Sequence, residues 1–416
     1  MDFAFDSRTE DLRMQLNDFM QACVYPAEAA FESTAAGPET SWDRPAVMAD
    51  LKAEARRRGL WNLFLPHSPL GAGLSNTQYA PLAEVTGRSP MIAPEALNCA
   101  APDTGNMELL SMFGTAHQQA VWLKPLLEGE IRSAYCMTEP GVASSDASNI
   151  ATTIRRDGDG YVINGHKWWS TGVLSNDCRL LVVLGVTNPD ADRHGRHTIM
   201  LVPRETPGLT VPRGLSVFGY RDASHGGHGE VVFDDVRVGE GAVLGQVGQG
   251  FALGQARLGP GRIHHCMRLI GMAERAYDLM CTRALNRVAF GKPLAEHGDV
   301  QRIIADSRVQ LDQARLLVLR TAWLIDTAGA RQAATAISEI KICVPSVAQE
   351  IIDRSIQIHG AAGLTGDFPL AMLFAQARGL RFADGPEEVH RVVLAKRELK
   401  RYLKTPVQSH ATGAAS

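Results

Sequence analysis

The segment Leu180-Leu181-Val182-Val183-Leu184-Gly185-Val186 is the longest apolar stretch of the chain. It is far shorter than the roughly 18 consecutive apolar residues of a membrane span, and it has the length of a buried β-strand. Polar turn residues follow directly at 187–190. The segment therefore predicts β structure in the middle of the chain, and no membrane span is expected.

Similar β-branched or aliphatic runs lie on both sides of this segment, at 161–163, 198–202 and 230–233. Gly, Pro, Asn or Asp residues bound each run, as at 157–160. Short strands at this spacing are typical of an all-β barrel or sandwich of about 100 residues. We place this β domain at residues 134–242.

The apolar period becomes helical on either side of the β region. Leu12, Leu16 and Phe19 recur at helical spacing near the N-terminus. Between Val300 and Thr321, apolar or small residues again step by three or four positions. The sequence thus predicts an N-terminal α-helical domain at 1–133, the β domain, a helical bundle at 243–404 and a frayed tail at 405–416.

Three further helices are expected from local signals. One opens at 107–110 and continues through 122–127, and a second covers 333–353. Proline removes a helical hydrogen bond, so Pro345 is expected to break or kink the second helix. The third helix covers 389–402 and begins near Pro386, because proline is tolerated only in the first turn.

Composition narrows the class of protein. The 416 residues include 42 Lys or Arg and 45 Asp or Glu, which gives a formal charge of −3 and no basic stripe for nucleic acid. Seven cysteines without a C-x-x-C pair favour a reduced cytoplasmic protein without disulfides or structural zinc. The start of the chain resembles neither a secretory signal nor a transit peptide, and its end is no peroxisomal signal. We expect a cytoplasmic location.

Several weak motifs favour structural interpretations. Gly245, Gly248 and Gly250 superficially resemble a nucleotide loop, but no βαβ unit surrounds them, so we expect a turn. His264 and His265 are adjacent and do not share a helix face, which argues against a joint metal site. Glu387, Glu388 and His390 lack a second cluster that would complete a metal geometry, so we expect a solvated helix N-terminus.

Three segments carry the candidate chemistry. Residues 135–146 are small and hydroxyl-rich, and they offer backbone N–H groups and hydroxyls to a polar heterocycle or form a polar loop. Residues 167–172 hold two tryptophans that suit stacking on a planar ring, although one of them is expected in the core. Asp384 precedes Gly385-Pro386 and a predicted helix, so we expect it on a turn, where it either points into a cleft or caps that helix.

Together these segments resemble the acyl-CoA dehydrogenase family over nearly the whole chain. Residues 137–140 (Met-Thr-Glu-Pro), with the Ser-Ser-Asp that follows, resemble its first signature. Residues 165–171 are similar to the strand that packs on the flavin. Residues 287–294 match R-x-x-F-G-x-x-L, and residues 357–363 match Q-x-x-G-x-x-G. Residues 259–266 and 383–386 look closest to family members 10 and 11 and their bacterial relatives.

The resemblance implies an α+β fold with an N-terminal helical domain, a middle β-barrel and a C-terminal four-helix bundle. It implies non-covalent FAD and an acyl-CoA substrate that is oxidised to a trans-2-enoyl-CoA. It further implies an electron transfer flavoprotein as the acceptor and a homodimer or homotetramer, because the FAD site is shared between subunits. No nucleic acid, metal or membrane partner is expected.

The resemblance also assigns individual residues. Asp384 takes the position of the general base, with Glu387 or Glu388 as a weaker second choice. The expected flavin contacts are Tyr135, Met137, Thr138, Ser144 or Ser145, Trp169, Ser170, Thr171 and Glu388, with Thr171 donating to the isoalloxazine. Arg287, Phe290, Gln357, Gly360 and Ala361 are expected to reach the FAD of a neighbouring subunit. Ser144, Arg262 with its preceding glycines, and Gly385 are expected to contact the acyl-CoA.

The implied chemistry needs a desolvated carboxylate and donors at the thioester oxygen, since an α-proton is weakly acidic. Burial is expected to raise the pKa of the base toward neutrality. The chain departs from the family at Asp384, where most members carry glutamate, at Ala361, where a second glycine is usual, and at Gly298, where glutamine often follows the histidine.

Two alternatives remain from the sequence. Nitroalkane oxidase shares the fold and uses an aspartate base, and acyl-CoA oxidases share it and react with oxygen. The segment from Gly259 to Arg262 favours a thioester substrate over the first of these. A non-catalytic scaffold is the other alternative, and Asp384, Arg287 and Trp169 count against it. The acyl chain is not encoded in any single residue.

Overall fold

The computed structural model of the protein describes residues 4–35, 42, 44–66, 68–222 and 225–403, so the predicted tail at 405–416 lies outside the described residues. The N-terminal part is helical. A π-helical turn at Met20–Val24 joins α1 to α2, and another at Gln119–Leu123 joins α7 to α8. The helices are α1 (Ser7–Phe19), α2 (Tyr25–Ala35), α3 (Val47–Arg57), α4 (Asn76–Gly87), α5 (Ala93–Ala96), α6 (Asp103–Phe113), α7 (Ala116–Gln118) and α8 (Lys124–Glu128).

Capping explains why the expected helix from 107 to 127 is interrupted after Phe113. The α6 helix ends at Phe113, where Gly114 adopts extended backbone angles. Thr115 then caps α7, because its side chain accepts from the Gln118 N–H while the Gln118 side chain bonds back to the Thr115 N–H. The prediction of one continuous helix was therefore wrong, since local capping overrides the apolar period.

The middle of the chain forms one mixed sheet, in the order β6-β8-β3-β2-β4-β5-β9, with β1 beside β4 and β7 beside β8. A single residue pair, Thr153 with Val186, joins β2 to β4. The strands are β1 (Arg132–Cys136), β2 (Thr153–Asp157), β3 (Gly160–Thr171), β4 (Cys178–Val186), β5 (His197–Pro203), β6 (Leu209–Thr210), β7 (Gly214–Leu215), β8 (His228–Gly239) and β9 (Val243–Leu244).

The strand pairing does not show the closed β-barrel that was predicted. Within the described residues, β6 and β9 end the strand path without pairing to each other. Both are only two residues long, so they offer too few backbone groups to close the sheet. The strand at 180–184 is nevertheless as expected. Leu180, Val182 and Leu184 pack toward the helices, whereas Leu181 and Val183 pack into the core of the sheet, which explains the continuous apolar run.

The C-terminal part is again helical. Two-residue strands β10 (Val288–Ala289) and β11 (Lys292–Pro293) form a hairpin between its first two helices. The α9 helix packs on α4, α10 and α11, and α11 also packs on α12 and α13. The helices are α9 (Gly250–Asn286), α10 (Gly298–Ala328), α11 (Ala334–His359), α12 (Leu370–Leu380) and α13 (Glu387–Leu403).

Pro345 does not interrupt α11, contrary to expectation. The helix continues from Ala334 to His359 with Pro345 buried inside it. Packing on four neighbouring helices outweighs the roughly 3 kcal/mol that an internal proline costs. The α13 helix begins at Glu387, directly after Pro386, as predicted. In the described part of the chain, no helix combines the length and the hydropathy needed to cross a bilayer.

Two glycines fix the N-terminal helices against α9. A Cβ at Gly87 would lie 2.0 Å from the Arg268 carbonyl oxygen, and a Cβ at Gly271 would lie 1.8 Å from the Glu84 carbonyl oxygen. The α4 and α9 backbones therefore touch, and no side chain fits between them. This contact fixes α9, which carries several of the residues described below.

Candidate functional site

A cavity of about 2060 Å³ lies between the sheet, α9 and the segment from α12 to α13. Typical small-molecule pockets have about 300–1,000 Å³, so this cavity has room for a large cofactor together with a substrate. It gathers segments that are far apart in the sequence. Of the predicted site residues, it is lined by Tyr135, Met137, Thr138, Ser144, Ser145, Trp169, Thr171, Arg262, Asp384, Gly385 and Glu388.

The wall that follows β1 is held by a buried ion pair. Lys167 Nζ lies 2.7 Å from Glu139 Oε1, and it donates to the Met137 carbonyl oxygen at 3.0 Å. Glu139 accepts in turn from the backbone N–H groups of Ala151 and Thr152. Ser144 Oγ accepts from the Glu139 N–H at 2.8 Å. Ser144 therefore holds the shape of this wall with the hydroxyl that the sequence assigned to ligand contact.

The tryptophan wall departs from expectation, since neither Trp168 nor Trp169 is core. Both line the cavity, and Trp169 is 41% exposed. Trp169 has φ +52 at a register shift in the pairing of β3 with β8. A bulky residue in the left-handed region is strained, and such strain is frequent at ligand sites. The bulge thereby turns an indole toward the cavity.

Two buried polar atoms at this wall are available to hydrogen-bond a ligand. Tyr135 Oη and Trp168 Nε1 have no hydrogen-bond partner among the described residues. Leaving a polar atom buried and unpaired costs about 1–3 kcal/mol. A polar ligand in the cavity would remove that cost. Together with the exposed Trp169 ring and the volume, these atoms fit a flat, polar, ring-containing cofactor.

Asp384 lies on the turn between α12 and α13, with φ +56, and Gly385 follows with φ +102. The turn is anchored from behind. Arg262 Nε donates to the Asp384 carbonyl oxygen at 2.9 Å, and Lys341 Nζ donates to the Ala383 carbonyl oxygen at 2.7 Å. Among the described hydrogen bonds, none joins the Asp384 carboxylate to a helix N–H, so the alternative of an N-cap was wrong.

The Asp384 carboxylate packs against α9. Its Oδ2 lies 3.4 Å from His265 Nε2. A Cβ at Gly261 would lie only 2.6 Å from the same oxygen, so the carboxylate occupies the space that any side chain at 261 would fill. On this helix His265 lies near both Gly261 and Arg262, because it follows them by four and three residues.

The expected direction of the Asp384 pKa was wrong. Burial does act to raise the pKa of Asp384, but the charges of His265, Arg257, Lys341 and Arg262 outweigh it, and the pKa lies below its ordinary value. The sequence did not reveal that these cations surround Asp384, since they come from α9 and α11. The carboxylate is therefore ionised at neutral pH and able to accept a proton.

The second-choice bases differ in their surroundings. Glu387 is buried and forms ion pairs with Arg381 and Arg391, and it also accepts from Ser346. These contacts lower the pKa of Glu387 despite the effect of burial, and they occupy its oxygens. Glu388 lines the cavity but is exposed on the first turn of α13. Neither has the enclosed position of Asp384.

Six predicted residues do not line the cavity. Ser170 is fully buried beneath it on β3. Phe290 is 99% exposed at the tip of the β10–β11 hairpin, with φ +51. The remaining four are Arg287 at the end of α9, Gln357 near the end of α11, and Gly360 and Ala361 in the 3₁₀ segment Gly360–Leu364. Their assignment to the FAD of a neighbouring subunit stays a prediction.

Sequence reasoning missed several residues of the cavity. His265 was considered only with its neighbour His264. It follows Arg262 by three residues, however, which places both side chains on the same face of α9. Lys341 and Arg257 carried no signal, because their relation to Asp384 is purely tertiary. The same holds for Asp222, His225 and His228, which line the cavity near Trp169 and Thr171.

Comparison with known proteins shows similarity over all three parts of the chain. Residues 6–130, 134–236 and 248–399 match the N-terminal, middle and C-terminal domains of acyl-CoA dehydrogenases. The chain is 54% identical over 407 residues to FadE2 of Mycobacterium tuberculosis, named a probable acyl-CoA dehydrogenase, which covers 97% of this chain and 98% of that one. A provisionally named acyl-CoA dehydrogenase structure from Mycobacterium abscessus has a TM-score of 0.93 and 52% identity, over 96% of this chain and all of that one.

A longer relative is also similar. Mouse acyl-CoA dehydrogenase family member 10 is 54% identical over 391 residues, which are 93% of this chain but only 36% of that protein. The activity of that whole protein therefore does not transfer directly.

Proposed function

The chain belongs to the acyl-CoA dehydrogenase family, whose members are oxidoreductases acting on CH–CH groups, and we propose that it binds FAD and dehydrogenates an acyl-CoA thioester between its α- and β-carbons. The observation that carries this proposal is the Asp384 carboxylate, ionised and enclosed at the wall of the same cavity as Trp169 and Thr171. A base and a ring-binding wall in one cavity are the two parts that the reaction requires.

The residues at the ring-binding wall fit the flavin. Tyr135 Oη and Trp168 Nε1 supply donors without a partner among the described residues, and Trp169 supplies an aromatic face. Met137 and Thr138 lie on the wall that Lys167 and Glu139 hold in place. When bound, the flavin supplies a two-electron acceptor.

The chain's own contribution centres on Asp384. Its carboxylate removes the α-proton of the thioester, and the packing against Gly261 and His265 fixes its direction. Entry of an acyl chain excludes water from the cavity and adds to the desolvation of the carboxylate. That change raises the pKa of Asp384 from its lowered value toward that of a stronger base.

Other parts of the proposal rest on the family. Arg262 and Gly385 contact the acyl-CoA, and an electron transfer flavoprotein takes the electrons. Arg287, Phe290, Gln357, Gly360 and Ala361 complete the FAD site of a second subunit in a homodimer or homotetramer. The exposed Phe290 supports this assembly, since an isolated subunit gains nothing from an aromatic ring in solvent. A cytoplasmic location remains a prediction.

The test is an anaerobic titration of the purified protein with acyl-CoAs of different chain length and branching, followed by the flavin absorption. We expect one chain class to bleach the flavin, and the variant Asp384→Asn to bind FAD but to lose this bleaching. Unimpaired bleaching in the variant would contradict the assignment of the base. Fast aerobic turnover without an added acceptor would replace the dehydrogenase by an oxidase.

A further inference from the structure

A chain of polar contacts leads from the cavity wall to a buried carboxylate. Thr171 Oγ1 lies 2.9 Å from His228 Nδ1, and His228 Nε2 lies 3.1 Å from Asp222 Oδ2. The other oxygen of Asp222 lies 2.7 Å from His225 Nδ1. All four side chains line the cavity. Separations of 2.7 to 3.1 Å are those of hydrogen bonds, so protons join this cluster.

Asp222 fixes which nitrogen of His228 carries a proton. Burial acts to raise the pKa of Asp222, but His225 and His228 outweigh it and hold that pKa well below its ordinary value. An ionised carboxylate only accepts hydrogen bonds. Neutral His228 must therefore keep its proton on Nε2, so a second proton can bind only at Nδ1.

The Thr171 hydroxyl has one proton to donate, so the direction of its hydrogen bond depends on whether His228 Nδ1 carries a proton. When His228 is neutral, the bare Nδ1 accepts the Thr171 proton, and only the lone pairs of Oγ1 face the cavity. When His228 is protonated, Nδ1–H donates to Oγ1, and the Thr171 proton is free to point into the cavity. We propose that His228 thereby switches Thr171 between donor and acceptor toward the ligand in the cavity.

The switch matters for a flavin, and this step rests on the proposed function. An oxidised isoalloxazine offers a bare nitrogen that accepts, and the reduced ring offers an N–H that donates. Protonated His228 thus suits the oxidised form, and neutral His228 suits the reduced form. Reduction of the bound flavin therefore favours release of the Nδ1 proton of His228 to solvent.

The proton balance follows. Without coupling, two electrons and one proton convert the oxidised flavin to its anionic reduced form. With coupling, His228 releases one proton during the same reduction, so the net uptake of protons is zero wherever the two events occur together. The midpoint potential then loses about 30 mV per pH unit of its usual slope, the value of a tenfold change for a two-electron couple.

The groups that face His228 come from several elements. Thr171 and the Trp169 ring, 5.4 Å away, face it from β3. Leu215 pairs with it from β7. Asp222 faces it from the loop before β8, and His225 lies on the far side of Asp222. Among these contacts Asp222 and His225 are the titratable groups, so His225 provides the matched control.

The experiment measures the midpoint potential of the bound flavin from pH 5 to 9 by anaerobic dye equilibration, without acyl-CoA. We expect a pH interval in which the wild type is shallower than His228→Gln and Thr171→Val by about 30 mV per pH unit. His225→Gln contacts the same carboxylate but not Thr171, and it is expected to keep the shallow interval.

Equal slopes in the wild type and in His228→Gln at every pH would overturn the switch. If that variant does not fold, the number of protons that the wild type takes up per flavin on reduction by dithionite is measured from pH 5 to 9. A minimum below one proton supports the switch, and an uptake that never falls below one proton overturns it. Because no substrate is used, these outcomes are distinct from a flavin that no acyl-CoA bleaches. A protein that cannot bind FAD would overturn both proposals.

Discussion

Asp384 Oδ2 lies 3.4 Å from His265 Nε2, and the imidazole of His265 is neutral at pH 7 because burial lowers its pKa to about 4. His265 therefore adds positive charge beside Asp384 only in acid. At neutral pH, the charges that favour the ionised carboxylate are those of Arg257, Lys341 and Arg262. The carboxylate of the proposed base is thus held ionised by cations that lie on α9 and α11, and its pKa depends on them.

Replacing Lys341 by glutamine tests this dependence. Lys341→Gln keeps a donor for the Leu380 and Ala383 carbonyl oxygens but removes the charge. Loss of a nearby positive charge destabilises the ionised form of Asp384, so the pKa of Asp384 rises. We expect the acid limb of log kcat/KM to move to higher pH, measured as flavin reduction by acyl-CoA. An unchanged limb would show that Lys341 does not act on the base.

Gly261→Ala tests the packing of the carboxylate. The added methyl would lie 2.6 Å from Asp384 Oδ2, and the carboxylate must move away. Misplacement by about 1 Å can reduce a rate by about 100-fold, so we expect a loss of at least tenfold in flavin reduction, with FAD still bound. Gly298→Ala adds a methyl in open space and serves as the control. Equal rates in both variants would argue against a packed carboxylate.

The sequence predicted the elements better than their contacts. The run at 180–184 predicted β4 because strand length and apolar character are local properties. The turn at Asp384 was also predicted, since an acid before Gly385-Pro386 is a local signal. The open edge of the sheet was not predicted, because the two-residue strands β6 and β9 leave no periodic pattern to find.

The chemistry of the site was harder to predict, since it depends on residues that meet only after folding. Burial was expected to raise the pKa of Asp384, and burial alone does act in that direction. The opposing cations from α9 and α11 reversed the outcome. Asp222 and His228 come from a loop and a strand and have no motif spacing, so only the folded chain joins them to Thr171.

Glu95 and Glu54 have similarly lowered pKa values but differ in burial, so they test how burial changes the contribution of an ion pair to stability. Burial acts to raise the pKa of Glu95, but Arg132, Lys52 and Arg44 lower it to about 2. Hydrogen bonds from Arg57 and Arg58 lower the pKa of Glu54, which is only partly buried, also to about 2. Removing one partner of a buried ion pair costs about 3–5 kcal/mol, so Glu95→Gln is expected to lower the free energy of unfolding by that amount.

The matched variant Glu54→Gln is expected to change stability little, because water screens exposed pairs. The pH dependence has a definite sign. The pKa of Glu95 is lower in the folded than in the unfolded chain, so its contribution is complete above the unfolded value and is lost as pH falls toward 2. Urea unfolding of both variants at pH 7 and pH 4 measures this. Equal losses of unfolding free energy in the two variants would mean that burial does not determine how much an ion pair contributes to stability.

Phe290→Ala tests the proposal that two subunits share the cofactor site. The ring is 99% exposed at the tip of the hairpin, so its removal costs the isolated subunit almost nothing. If a second subunit covers it, about 1.5–3 kcal/mol of burial is lost, and the dissociation constant of the dimer rises at least tenfold. Sedimentation velocity across protein concentrations measures this, with Met14→Ala, 56% exposed on α1, as the control. An unchanged assembly in both variants would show that the ring remains in solvent and that the hairpin does not join two subunits.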